Sequence, residues 1–573
     1  MPSIPTFLAS PLARHPLLLV RKTLQRLDLY RESGPLPEPP VTEAIFPDAW
    51  LKPLAEWISR VPLTTQPHSF GRVFGQEFSE AELLKLCRAG PNLGRQDLTG
   101  DIKLIWDYSR AHALFLNASQ GPSRVDANVA FLRRWLAANA NTDGHTWICA
   151  MDVALRAVNW VFADGMSGGA MARQLGSREW ASWLWRHGFV IWRRLESRIV
   201  PSNHYLADLL GLRVVGSLFP SDPSARAWRQ FAADEFPRAL LAQTRADGGL
   251  NEASLRYHAF VTEMALIFRL ASPALLPAAA EARLGSMCAI LADLRDASGD
   301  VFPFGDDDGG RVLGLDHAAS MGRADVLLQL AEVLLGRGFQ PAASVVYPDS
   351  GWAIQRCADW VVAAEFGGVG LRGLGGHAHN DDLSFCLEWQ RRAVIVDPGT
   401  YAYTWNPEAR NRFRSVFSHN TLVVDGEEPI PLTPHLFFHP GPDAPLEMLL
   451  RLDGSWTFSR DLKGGVRHQR RMEADGERKF AIKDVVEGAG CRRLEWRFHV
   501  HPDWSVTADD GCFILTRLDA PGLRLEVNLP GAVLRVIPGE FSPSYGLIQP
   551  CTVAVVTAEF TLPCHSRFVF LPV

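Results

Sequence analysis

Residues 340–366 read QPAASVVYPDSGWAIQRCADWVVAAEF, and the texture of the chain changes across them. Beyond the Pro348-Asp349-Ser350-Gly351 turn come short runs of β-branched and aromatic residues separated by turn-formers, the mark of strands. The pattern continues in LSFCLEWQRRAVIVDPG (383–399), NTLVVDG (420–426), WSVTADDGCFILTRL (504–518) and CTVAVVTAEFTLP (551–563). Before the turn the period is different. DIKLIWDYSRAHALFLNA (101–118), WICAMDVALRAVNWVFA (147–163) and EASLRYHAFVTEMALIFRLA (252–271) place apolar residues three and four apart, as helices do. Helices followed by strands predict an α+β chain of two large domains. The helical one spans 45–345 and the antiparallel β one 346–573. Residues 1–44, with the Pro-rich PLPEPP at 35–40, read as an N-terminal extension or strap.

Composition bounds the function. At roughly 150 residues per domain, 573 residues suggest about four units, but two large ones fit equally well. Hydrophobic residues make up 47% and charged residues 21%, so the chain is globular rather than disordered. The net charge of −5 advertises no nucleic-acid partner. The 18 Trp serve cores, and also serve as flat platforms for sugar rings. The apolar run Pro16–Val20 is too short to span a bilayer, and Arg21 and Lys22 end it too early for a good signal peptide. Either the chain stays inside the cell or a leader lies outside this sequence. The nine Cys are scattered, without a C-x-x-C pair, and read as reduced small hydrophobes, which favours a reducing compartment.

Six clusters carry candidate chemistry. In GHAHNDDL (376–383), His377 and His379 are two apart, on one face if the chain is extended. Asp397 follows 18 residues after His379, at a strand end before Pro-Gly, and His419 follows 22 residues after Asp397. Two His and one Asp from neighbouring strands suit a divalent metal, zinc by ligand type. In IVPSNHYLADLLGL, Asn203 and His204 stand at a predicted helix N-terminus, where amide donors can face an anion or Asn203 can act as a simple cap. In DGGLNEASLRYHAF, Tyr257 lies early on a helix starting near Asn251 or Glu252, as a packing residue or a catalytic one. Trp147, Arg156 and Trp160 fit either core packing or a site for sugar and carboxylate. Asp101 and Arg110 read as an internal ion pair. PFGDDDGGR (303–311) lacks the alternation of a calcium loop and reads as capping and packing.

Taken in order, SNHYLADLLGL, DGGLNEASLRYH, PFGDDDGGR, the block GHAHNDDLSFCLEWQRRAVIVDPGTYAYTWNPEARNRFRSVFSHNTLVVDG and the late FSPSYG (541–546) resemble the heparinase II/III-like family of polysaccharide lyases. The resemblance covers roughly residues 95–573 and is most specific in 377–426. It implies an (α/α) toroid followed by an antiparallel β-sandwich, with the active site between them. It implies an acidic polysaccharide or oligosaccharide as substrate and a periplasmic or secreted location, against which the N-terminus leaves a cytoplasmic one open. Position by position it implies that Asn203 neutralises the substrate carboxylate, with His204 beside it, that Tyr257 and His377 are catalytic, and that His379, Asp397 and His419 hold a structural metal, often zinc.

That chemistry fits the residue types. Removing a proton α to a carboxylate builds a doubly negative intermediate, which aimed donors such as Asn203 must stabilise. Tyr257 serves as base and then acid if neighbouring cations lower it from about 10. His377 is the alternative base. Two other classes remain: a glycoside hydrolase using Glu252 with Asp306, and a non-catalytic glycan-binding accessory protein. Glu252 is in either case a candidate substrate contact.

Overall fold

A computed structural model describes residues 39–573 apart from 42, 62–71, 74–75, 78, 89–101, 141–143, 274–275, 315–320, 451–454 and 476–478. Asp101 and most of the N-terminal extension therefore lie outside the described residues. Helices run from Leu51–Arg60 to Arg323–Leu335, and the first strand of the large sheets is Ser344–Tyr347.

The helix Ala150–Met166 is buried along nearly its whole length and packs against seven others among the described residues, including Ser177–Arg194 and Asn203–Ser217. A helix buried all round needs small residues where neighbours come close. At Gly211 of Asn203–Ser217, an added Cβ would lie 2.6 Å from the Ala154 side chain. Asn203–Ser217 then pairs with Pro223–Gln243 across a short turn. Asp222 caps that second helix by accepting from the Ala225 N–H, and Pro223 opens it.

The β part is two antiparallel sheets face to face. One has eight strands, with Lys479–Glu487 central between Val466–Asp475 and Cys564–Pro572. The other has nine, including Trp352–Cys357, Trp360–Glu365, Phe385–Trp389 and Cys491–Val500. Side chains alternate across each strand. Phe385 and Leu387 join the core between the sheets, with Trp496, Phe498, Phe480 and Phe568. Cys386, Trp352 and Ile354 point the other way, into the helical core. The nine-stranded sheet is thus the middle layer, with helices on one face and the second sheet on the other. This explains why its strands read as nearly continuous apolar runs.

Polar contacts fasten the helices to this sheet. Arg356 donates to the carbonyls of Asp293 and Arg295 at 2.7 and 3.0 Å, and the Ala297 N–H donates to Glu388 at 2.7 Å. Eight cysteines are free among the described residues.

Candidate active site

Asn203 opens its helix, with Ser202 as the N-cap residue. The free N–H groups of that first turn are served from a distant segment. Glu252 Oε1 accepts the Asn203 backbone N–H at 2.7 Å, and Oε2 accepts its side-chain Nδ2 at 2.8 Å. A carboxylate at a helix N-terminus meets both the orphan donors and the positive end of the dipole. Both residues are essentially inaccessible to solvent.

The segment after Glu252 turns through Ala253 (φ 52°) into the helix Leu255–Leu270. Ser254 caps it, accepting from the Tyr257 N–H at 3.1 Å and donating to the Asp306 carbonyl at 2.6 Å. The Tyr257 ring stacks on His377, with centroids 3.9 Å apart and planes at 23°. Its hydroxyl is 3.4 Å from that of Tyr403.

His377 joins the two halves. Its Nε2 is 3.3 Å from Glu252 Oε2, and its Nδ1 is 3.0 Å from Asp306 Oδ2. Asp306, fully buried, also takes His379 Nε2 at 2.8 Å and Arg410 Nη2 at 2.7 Å. Its loop is pressed against neighbouring backbone. Gly305 sits at φ 71°, and a Cβ there would lie 2.3 Å from the Ala253 carbonyl oxygen. The reading of 303–311 as a packing loop is corrected here: Asp306 is the hub on which His377, His379 and Arg410 converge.

The electrostatics reverse one expectation. The main influences on Tyr257 are burial and carboxylates, not cations. Burial, then the charges of Asp308 and Asp306, push its hydroxyl well above its ordinary value, so it rests as a neutral phenol. Tyr403 is pushed up by burial and Asp306 in the same way. Burial alone would raise Asp306, but Arg410 and the two imidazole hydrogen bonds hold it well below the usual carboxylate range.

His204 is placed elsewhere. Successive helical residues point about 100° apart, so Asn203 faces inward while His204, 33% exposed, binds Glu196 Oε2 through Nδ1 at 2.8 Å. The sugar-contact reading of Trp147, Arg156 and Trp160 is also corrected, because all three are fully buried. Arg156 donates to His187 and to the Thr146 carbonyl, both at 2.9 Å, and its guanidinium lies 4.5 and 4.6 Å from the Trp135 and Trp147 rings. Trp160 stacks on Trp180. These aromatics form a cation–π core. Arg110 pairs with Asp152 at 2.6 Å.

The metal candidates shift by one residue. Ligand atoms of His379, Asp381 and His419 lie within 4.8 Å of one another. His379 Nδ1 and His419 Nε2 are buried without a hydrogen-bond partner, which fits a pair of ligand nitrogens. Asp397 sits behind them, taking His419 Nδ1 at 2.7 Å and the Gly399 N–H at 3.0 Å. That is the position of a carboxylate orienting a ligating His.

Tyr403, Arg410 and Tyr545 were not singled out from sequence. The Tyr545 hydroxyl accepts the Tyr403 N–H at 2.9 Å, and Tyr403 and Tyr545 meet edge to face. The late FSPSYG motif therefore lands at the site. Its inclusion in the resemblance was the available signal.

The family patterns described as Heparinase II/III N-terminus and Heparinase II/III-like, C-terminal, match residues 197–277 and 340–565, together more than half of the chain. The chain belongs to the heparinase II/III-like family of polysaccharide lyases. This heparinase II/III-like chain is similar to a crystal structure of heparinase III (14% identity, TM-score 0.69), covering 100% of this chain and 94% of that one. It is also similar to a mutant of the heparan sulfate lyase HepC from Pedobacter heparinus (17% identity, TM-score 0.58, 100% and 93% covered). At these identities the likeness speaks for the fold. No curated protein matches by sequence. Among the described residues, no helix is long and apolar enough to cross a membrane.

Proposed function

We propose that this protein cleaves a uronic-acid-containing polysaccharide by β-elimination, leaving 4,5-unsaturated uronate ends. One observation carries the reading: Asn203, Tyr257 and His377, from three separate segments, are brought together, Asn203 next to His377 through Glu252 and Tyr257 by stacking on His377.

In the proposed reaction the substrate carboxylate lies against the second N–H of the Asn203 amide. Glu252 holds that amide with its nitrogen presented, since the reverse orientation would set oxygen against carboxylate. A fixed donor of this kind is worth about 10²–10³ in rate. Asp306 accepts from His377 Nδ1–H, and Nε2, 3.3 Å from Glu252 Oε2 without a hydrogen bond to it, is the proton acceptor, its new charge met by that carboxylate. His377 takes the C5 proton, the C4–O bond breaks, and Tyr257 gives its phenolic proton to the departing O4. The raised Tyr257 suits an acid better than a base, which moves the base role from Tyr257 to His377. His379, Asp381 and His419 would hold a divalent ion, zinc by ligand type, that fixes the 377–381 loop structurally. The hydrolase pair finds no support, because the Glu252 carboxylate is taken up by the backbone and side-chain N–H groups of Asn203 and that of Asp306 by His377, His379 and Arg410.

The test is incubation with a panel of acidic polysaccharides, read in the near ultraviolet. A lyase produces an absorbing unsaturated uronate without consuming water. Hydrolytic ends without that chromophore, or binding without any product, would overturn the reading.

A further inference from the structure

Cys149, Glu196 and His204 lie outside the chemistry just described, yet three chain segments bring them together. Cys149 is the extended residue joining the helices His145–Ile148 and Ala150–Met166. Glu196 follows the helix Ser177–Arg194, and His204 lies in the first turn of Asn203–Ser217. Glu196 Oε1 is 3.3 Å from Cys149 Sγ, Glu196 Oε2 is 2.8 Å from His204 Nδ1, and Sγ is 3.9 Å from that same Nδ1.

One ligand atom from each of the three lies within 4.8 Å of the others, close enough for small side-chain shifts to bring them onto one tetrahedral ion. With bonds of about 2.3 Å to sulfur and about 2.0–2.2 Å to nitrogen and oxygen, ligand atoms stand roughly 3.3–3.7 Å apart. The site is also built. The Glu196 backbone N–H donates to Asp208 Oδ2 at 2.6 Å, and the Met151 N–H reaches Glu196 Oε1 at 3.3 Å. Cys149 immediately precedes a helix, and burial with the charges of Asp152 and Glu196 pushes its thiol well above its ordinary value, so the thiolate forms there only with a cation beside it. Negative charge for a cation comes from Glu196, since nearby Asp152 is already paired with Arg110. Arg198, 3.8 Å from Glu196, is the opposing charge. The partial exposure of His204 (33%) and Glu196 (15%) leaves a route for an ion and a fourth position for water.

We infer that Cys149, Glu196 and His204 form a second metal site, for a zinc-class ion with one thiolate ligand and one open position. It is chemically distinct from the thiol-free group His379, Asp381 and His419. An ion there ties the helix that carries Asn203 to the start of the central helix. The inference is independent of the lyase reading, since metal binding is measured without any substrate.

Cobalt(II) distinguishes the two sites, because a thiolate ligand adds an intense near-ultraviolet charge-transfer band that imidazole and carboxylate do not. Chelator-stripped full-length protein titrated with Co²⁺ gains this band, with the intensity of one thiolate-bound ion per chain at saturation. His419→Ala retains the band and Cys149→Ser loses it. Glu196→Gln, which keeps the shape of the side chain, weakens the titration at least about tenfold, the scale of losing one ligand interaction. A wild-type protein without the band at saturating Co²⁺ overturns the site. So does a band that survives in Cys149→Ser, or an affinity unchanged by Glu196→Gln.

Discussion

Tyr257 meets His377 through its ring and Tyr403 through its hydroxyl, so deleting the hydroxyl separates packing from chemistry. Tyr257→Phe is expected to fold and to lower unsaturated product by about 10²–10⁴, the usual worth of a positioned acid. Because His377 is assigned as base, the variant should still exchange the substrate C5 hydrogen with deuterated solvent. Loss of exchange together with product would return the base role to Tyr257. Asn203→Ala removes the aimed amide and should cost about 10²–10³ in kcat, with KM changed far less. An equal effect on KM alone would mean that Asn203 binds the ground state and no more. These residues were legible one by one as polar groups at helix starts or beside a turn. That Glu252 links Asn203 to His377 was not, because the link joins segments 49 and more residues apart.

Between elements, two contacts carry testable consequences. Gly211 lets the Asn203 helix lie directly on Ala154, and Gly211→Val places a branched side chain where even a Cβ has no room. Overpacking of this kind costs about 1–3 kcal/mol and shifts the helix. Urea melts of the variant should show the loss, and its activity should fall further than its stability does, because Asn203 moves with the helix. In the sandwich, Arg470 and Asp484 form a fully buried pair at 2.7 Å, and Arg470 also donates to the carbonyls of Leu383 and Asn420, which flank the metal loops. Burial would raise Asp484, but Arg470, His468 and their hydrogen bonds hold it well below its ordinary value of 3.8. A carboxylate lowered by folding stabilises the fold fully above that value, and the contribution fades as pH falls below it. Asp484→Asn should therefore cost about 3–5 kcal/mol at neutral pH. It should also show a shallower acid loss of stability below pH ~4 than the wild type. An unchanged acid profile would remove the pair from that role.

At the scale of the whole molecule, the site exists only because two differently built halves meet. The helical half brings Asn203, Glu252 and Tyr257, with Asp306 on its loop between the helices Ala278–Asp293 and Arg323–Leu335, and the sandwich half brings His377, Tyr403 and Arg410. If His379, Asp381 and His419 hold an ion, zinc in excess should raise the melting temperature, since a ligand bound only by the folded chain stabilises it by mass action. In a Cys149→Ser background, which removes the second proposed site, His419→Ala should abolish most of that rise, and Asp397→Asn should weaken it. An unaltered rise in both variants would place the ion elsewhere. The sequence alone determined the order of the two halves, because periods of 3.6 and 2 are local properties that each segment displays unaided. It also supplied Asn203, Tyr257 and His377 through a resemblance in motif order. Only the tertiary structure decided which polar groups share a cavity. Trp147, Arg156 and Trp160 have the residue types of a sugar site, yet burial makes them core. Asp306 has the look of a loop residue, yet packing of Gly305 against Ala253 drives it to the centre. Asp381 stands beside His379 and His419, while Asp397 falls behind. Burial and proximity are set by segments far apart in the chain, and no local pattern encodes them.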